Sequence, residues 1–417
     1  MIEVIMDEQP FEQSSAIPKE RQDRYTTWKK NTKLLYEYLN TNSNKWPSLT
    51  CQFFPDVNTK NDSHRILLSS FTSSLVPEDE SLYITRISTL KHLSWASLNN
   101  FDLDEMEFKP DNSNIKLPPK NLTTELVIRF PNGDCNRARY LPQNPDLIAA
   151  ASSDGSVYIF DRTKHGTAMH SRQSGFTQSY QAKLAVNNNS QSLNGENEAL
   201  TIDWNHQKEG HLVVAYSDGH VKAWDITKYK RSDPVIKAPE YNYKLDESGC
   251  NDAVWMPEHN SLFAACSEDN RLSLFDTRDE SNIIDISTSV HKGGINACRF
   301  NPRNSLLLAS GDSIGNICLW DIRKKETPIN ILDHGSSIST IEWNPNLSTV
   351  LASAGQDDGL VKLWDAGSDK PVFIHGGHML GVNDISWNMH DPWLMCSVSK
   401  DNSIQIWKPA HNLVELE

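Results

Sequence analysis

A tight turn followed by an apolar strand that closes on an aromatic residue recurs six times along this chain. The copies run through Ser153–Asp161, Ser217–Asp225, Glu268–Asp276, Ser313–Asp321, Asp357–Asp365 and Lys400–Lys408. An upstream aromatic keeps step with each closing one. Tyr140 to Phe160, Trp204 to Trp224, Trp255 to Phe275, Phe300 to Trp320 and Trp387 to Trp407 lie 20 positions apart, and Trp343 to Trp364 lies 21 apart. A unit of about 40 to 45 residues with a Trp-Asp or Phe-Asp ending buries its faces by stacking against copies of itself, as in a β-propeller. The turns at 154–155, 218–219 and 358–359 are Asp-Gly, which supplies the positive φ of a two-residue hairpin. The strands after them are apolar at nearly every position, as at Ile317, Leu319 and Trp320, which fits a sheet covered on both faces.

A seventh, degenerate copy opens at Ser48–Pro55, which parallels Ser339–Pro345, and continues through 65–70 and 82–87. The expected fold is therefore all-β: a seven-bladed Trp-Asp repeat propeller closed by an early strand that pairs with the last three. It forms one cooperative domain over 46–417, at a length that elsewhere holds two or three. Ahead of it lie a flexible N-terminus over 1–18 and a helix with linker over 19–45. Two inserts break the period, at about 102–124, with acids and prolines, and at 163–198, with an Asn-rich stretch. Both read as surface loops, the second partly disordered.

Acidic residues outnumber basic ones by 54 to 40, a formal charge of −14. Phosphate contacts need clustered Lys and Arg, so this balance disfavours direct DNA binding and favours basic partners or plain solubility. Seven cysteines without paired spacing, several within strands as at Cys298 and Cys318, read as reduced, buried thiols of a nuclear or cytoplasmic protein. Neither a signal peptide nor a long apolar span is evident, so no membrane role is expected.

Residues 19–40 read as a helix. At 100° per residue Tyr25, Trp28, Leu35, Tyr36 and Leu39 share one face, which should pack on the propeller flank. Leu34 and Tyr38 fall nearly opposite, beside Thr27 and Asn31. Apolar residues there are either covered by a loop of the ring or form half of a groove for a partner helix.

No catalytic residues are expected. His378, Ser397 and Asp401 invite a Ser-His-Asp reading, but in Trp-Asp propellers a His, a Ser, the turn Asp and the closing Trp form a structural hydrogen-bond tetrad. Here these are His378, Ser397, Asp401 and Trp407. The pair His375 and His378 lacks Cys or carboxylate companions, so neither a metal nor a cofactor is expected. No Gly-rich phosphate cradle appears.

Several segments go beyond generic repeats: Tyr-x-x-Trp-Lys-Lys-Asn-Thr at 25–32, Leu-Tyr at 35–36, Trp-Pro-Ser-Leu-Thr at 46–50, Asn136–Pro145, Phe373–His378 and Pro392–Val398. Together they resemble the retinoblastoma-associated histone-binding Trp-Asp repeat family over nearly the whole chain. Within it the chain is most similar to the fungal small subunits of chromatin assembly factor 1. The resemblance implies a non-catalytic nuclear protein, present also in the cytoplasm, that binds the core histones of the central tetramer and joins larger subunits of an assembly complex. It also implies two surfaces. One is a groove for a histone helix, mapped to Asn31, Leu34, Leu35 and Tyr38 on the helix side and to Asp369, Phe373 and Ile374 on a loop over 365–374 that is short for the family. The other is a peptide-binding top face at Asp134, Asn136, Glu198, Asn251, Asn296 and Asp384. That face is weakened by Asn251, Ser337 and Lys400 at positions the family gives to acids or neutral residues, and by Leu200 in place of Tyr. Two alternatives stand beside assembly. One is a shared subunit of a histone acetyltransferase or deacetylase complex; the other is a cullin-ligase substrate receptor, from Arg278 and Arg323 after the closing Phe-Asp and Trp-Asp.

Overall fold

The computed structural model describes residues 17–58, 62–89, 101–102, 107–108, 122–166, 180–185, 197–286 and 289–414. Each repeat is a small antiparallel sheet, and seven such sheets form the ring. Blade 1 is Cys51–Asn58, Ser63–Ser69, Ser81–Ser88 and Thr123–Arg129, running from the inner strand outward. Blade 2 begins with Cys135–Leu141, blade 3 with Ala199–Trp204, blade 4 with Cys250–Trp255 and blade 5 with Ile295–Phe300. Blade 6 is Ile338–Trp343, Val350–Gly355, Val361–Asp365 and Pro371–His375. Blade 7 is Val382–Trp387, Met395–Ser399 and Ser403–Pro409, completed by Tyr36–Ser43 from the start of the chain.

The hairpin chemistry accounts for the turns. Gly155, Gly219 and Gly359 all take positive φ, and in the two copies that carry Asp-Asn instead, Asn270 and Asn402 do so at 60° and 66°. Asparagine is among the few side chains that tolerate this region.

The core is divided among the seven junctions between adjacent blades. At one of them Ala297, Ile317 and Leu332 of blade 5 meet Ile338, Ile341 and Trp364 of blade 6. At another, Cys51, Phe53 and Ile66 of blade 1 meet Cys396, Val398 and Ile406 of blade 7. The upstream aromatics of the repeat also bond across these junctions. The indoles of Trp204, Trp343 and Trp387 donate to the carbonyls of Arg139, Arg299 and Glu342 in the preceding inner strands, at 3.0, 3.0 and 3.1 Å.

Two sequence expectations need correction. The helix ends at Leu35, after 17 residues, and does not reach residue 40. Tyr36 turns to φ −126°, ψ 141°, and 36–43 pairs antiparallel with 403–409. The early strand that closes the ring is thus the very segment assigned to the last helical turn. The free edge of blade 7 captures it, and tertiary pairing overrides a spacing that suited a helix. The second correction concerns the inserts. Thr123–Arg129 is the outer strand of blade 1, and Ala182–Leu184 is a strand of blade 2, paired with Val157–Ile159 and flanked in parallel by Val235–Ile236. Most of 1–18, 102–124 and 163–198 lies outside the described residues, as does the flexibility expected of them.

Candidate functional site

The helix, Lys19–Leu35, is fixed to the ring by a chain of buried polar contacts. The Trp28 indole donates to the Tyr36 hydroxyl at 2.8 Å, and that hydroxyl lies 2.7 Å from Nδ1 of His375 in the outer strand of blade 6. The His375 ring stacks on the closing Trp407 at 4.3 Å between centroids and 1° between planes. Burial holds the His375 pKa well below its ordinary value, so the ring stays neutral. Gly376 and Gly377 follow, against the Trp28 ring, where a Cβ on Gly377 would run into Gln405, His375 and Trp28. The His-Gly-Gly-His stretch is therefore a docking loop for the helix.

This anchoring leaves a partly apolar outer surface. Leu34 is 55% exposed on the helix and Ile374 is 44% exposed on the outer strand of blade 6. Asn31 and Asp369 are exposed as well, and the Asn31 amide donates back to the Thr27 carbonyl at 3.0 Å. Leu35 is half-buried against the junction of blades 6 and 7, and Tyr38 is half-buried between two junctions. Phe373 departs from its expected place. It is buried, with its ring 5.4 Å from Tyr36 and 5.9 Å from Trp407. In a strand, neighbours alternate faces, so Phe373 points inward while Ile374 points out.

At the mouth of the central channel one polar contact repeats. Asn136, Asn251 and Asn296, each second in its inner strand, donate to the carbonyls of Ala199, Ile295 and Ile338 in the next blade, at 2.9, 3.0 and 2.8 Å. Asn383 does the same to Ser48 at 2.9 Å. The sequence reading missed Asn383, although aligning Val382-Asn383 with Cys250-Asn251 and Ile295-Asn296 reveals it. These side chains, with Gln356 and Lys400, line a cavity of about 300 Å³. Glu198 lies beside Asn136, whose amide reaches its carboxylate at 3.3 Å. Asp134 sits further out and is committed to the loop of blade 1, accepting from the Ser74 amide and hydroxyl, both at 2.9 Å.

Asp384 does not belong to this surface. It is fully buried, 2.6 Å from Arg137 and 3.1 Å from Arg139, and it accepts the Cys51 amide at 2.8 Å and the Thr50 hydroxyl at 3.2 Å. Burial alone pushes its pKa up, but the two guanidinium groups hold it below the usual carboxylate range. It thus locks blade 7 to blades 1 and 2. Asp252 plays the same part elsewhere in the ring, accepting from Arg299 and from the Cys298 amide. Glu342, on the channel wall, accepts the Trp387 amide at 3.2 Å, and burial pushes its pKa up to about 7.

The tetrad of the last blade forms with one intermediary. His378 bonds Ser397 at 2.7 Å, Trp407 donates to Ser397 at 3.1 Å, and Asp401 is reached through Ser403, which lies 2.7 Å from His378. Blades 5 and 6 repeat it as His291, Ser310 and Trp320, and as His334, Ser353 and Trp364. These serines sit inside the sheets with both their partners engaged. Arg278 and Arg323, the two arginines of the ligase alternative, each turn back on the closing Asp two residues before, at 2.7 Å. All seven cysteines are buried and unpaired.

Comparison with known proteins adds three findings. A family model described as histone-binding protein RBBP4 or its counterpart subunit in the CAF1 complex matches residues 23–91, which hold most of the helix, the closing strand and three strands of blade 1. A model for the β-propeller of nucleolar protein 10-like N-terminal domains matches residues 236–410. The histone-binding protein MSI1 of Saccharomyces cerevisiae is 57% identical over 414 residues, which cover 96% of this chain and 97% of that protein.

Proposed function

This chain belongs to the RBBP4 and CAF1-complex family of histone-binding proteins, and from that premise we propose that it is a non-catalytic histone-binding subunit of a chromatin assembly complex. It handles the tetramer-forming histones in the nucleus. Larger subunits of the complex hold it, and a histone helix lies against Leu34 and Ile374.

The observation that carries this reading is Leu34. Every other large apolar residue of the helix is at least partly packed on the ring, whereas Leu34 faces solvent. The net charge of −14 suits a basic ligand. The top face contributes less, because its asparagines are tied to the next blade and Lys400 stands at the rim.

The test is a titration of the purified chain with the histone pair that forms the nucleosomal tetramer, beside Leu34→Glu, in moderate salt. Burying an exposed leucine is worth about 1.5–3 kcal/mol, so the variant should bind about 10- to 100-fold more weakly while remaining folded. Equal binding by both would move the contact away from the helix.

A further inference from the structure

We propose that the end of blade 3 opposite the asparagine-lined mouth is a divalent metal site, of the zinc class, formed by His211, Asp225 and Glu240. The spacing in sequence gives no hint of it, and it lies outside the groove and the channel.

The fold brings the three together. His211 opens the second strand of the blade and pairs in register with Asp225, which ends the third. Glu240 stands just before the outer strand, its amide held by the Ala223 carbonyl at 2.8 Å. Their ligand atoms all lie within 4.8 Å of one another. Nε2 of His211 is 3.2 Å from the Glu240 carboxylate and 3.7 Å from the Asp225 carboxylate. Around a tetrahedral Zn²⁺ with bonds of about 2.0–2.2 Å, ligand atoms stand about 3.3 Å apart.

His211 supplies an independent pointer. It is more than nine-tenths buried, and its Nε2 makes no hydrogen bond. Nδ1 lies 3.1 Å from the Glu209 carbonyl, so in the neutral ring it is Nδ1 that carries the hydrogen. The Nε2 lone pair then faces two carboxylate oxygens, an arrangement that calls for a cation between them. The surroundings match what fixes metal ligands elsewhere: a backbone carbonyl orients the imidazole, and a hydrogen-bonded carboxylate offers its other oxygen. Asp225 is held in this way, one oxygen accepting the Thr227 amide at 2.9 Å and its hydroxyl at 2.5 Å, the other turned toward His211.

The donor set selects the ion. An imidazole with two carboxylates suits zinc and its first-row neighbours, whereas calcium and magnesium prefer oxygen alone. Lys228 lies 3.8 Å from both carboxylates and Lys208 lies 3.9 Å from Glu240. Both are long, about half-exposed side chains that can swing aside when the ion enters. The ion would clip the second and third strands and the approach to the fourth at one point.

The test uses the untagged full chain, stripped with chelator, and Co²⁺ as a visible stand-in for Zn²⁺. One equivalent of Co²⁺ should give d–d bands that Zn²⁺ abolishes and a large excess of Mg²⁺ leaves in place. His211→Gln should lose the bands, and Glu240→Gln should weaken Co²⁺ binding at least tenfold. Zn²⁺ should raise the thermal midpoint of the unaltered chain and not of His211→Gln. Should His211→Gln fail to fold, Glu240→Gln decides, since Glu240 is only partly buried. The buried thiols do not compete. Equal bands in the unaltered chain and Glu240→Gln would put the metal on other histidines. Absence of any saturable Zn²⁺-displaceable band would make His211 an imidazolium paired with the two acids. Either result overturns the proposal.

Discussion

The Tyr36 hydroxyl lies 2.7 Å from Nδ1 of His375, which joins the strand that closes the ring to the outer strand of the neighbouring blade. Because the hydroxyl accepts the Trp28 indole N–H, its own proton points at His375, and His375 must be the neutral acceptor. One buried oxygen therefore ties together the helix, blade 7 and blade 6.

Tyr36→Phe keeps the ring packing and removes that oxygen, leaving the Trp28 N–H and the His375 Nδ1 without their partner. Stranding buried polar groups costs about 1–3 kcal/mol. The variant should lose that much in chemical denaturation, and amides of 19–35 should exchange faster than those of blades 3 and 4. Unchanged exchange in the helix would mean that the hydroxyl is not what holds it.

Asp384→Ala leaves Arg137 and Arg139 facing each other without a counter-ion. Breaking a buried pair from one side costs about 3–5 kcal/mol, and Asp384 also holds two groups of blade 1. A fall of that size in denaturation free energy is expected, with histone binding retained at low temperature. A loss below about 1 kcal/mol would place this pair with weak surface bridges.

Glu342 gives the chain a pH dependence of defined sign. Its carboxyl has a pKa of about 7 in the fold and about 4.3 when exposed. Between these values the folded state holds more protons, so this group's contribution to stability falls as pH rises through the window. His378, pushed down to about 4 by burial, works in the opposite direction, since its unfolded form takes up a proton near 6.5. The net curve mixes both, so the useful quantity is a difference. Relative to wild type, Glu342→Gln should gain stability between pH 4.5 and 8, by up to about 3 kcal/mol. A urea-denaturation difference that stays flat across that range would refute the assignment.

Ile374→Glu probes the other wall of the groove. The side chain is exposed, so folding should be unaffected, and histone binding should weaken in the same sense as for Leu34→Glu. If both residues touch one helix, the double variant should lose less than the sum of the two single losses. Full additivity would separate the two contacts.

The groove was half legible in the sequence. Leu34 lies on the outward stripe given by a 100° period, and it is exposed. Tyr36 and Leu39 satisfied the inward stripe equally well, yet both are strand residues, because their spacing also fits alternation once an unpaired edge lies nearby. Phe373 was read as part of a loop; strand pairing with Leu363 turns it into the core. Asp384 was grouped with surface acids. Only the approach of Arg137 and Arg139, 247 and 245 positions away along the chain, makes burial of its charge tolerable.

The sequence by itself determined the ring, the number of blades and the turns, because each repeat carries its own local instructions: a turn residue that accepts positive φ and a strand apolar on both faces. What the tertiary structure decided depends on which strands end up side by side. The closing strand, the helix anchor at His375, the ion pairs of the channel and the meeting of His211, Asp225 and Glu240 join positions whose separation carries no periodic signal. Their energies come from burial and from a partner across a junction, and neither exists until the blades have packed.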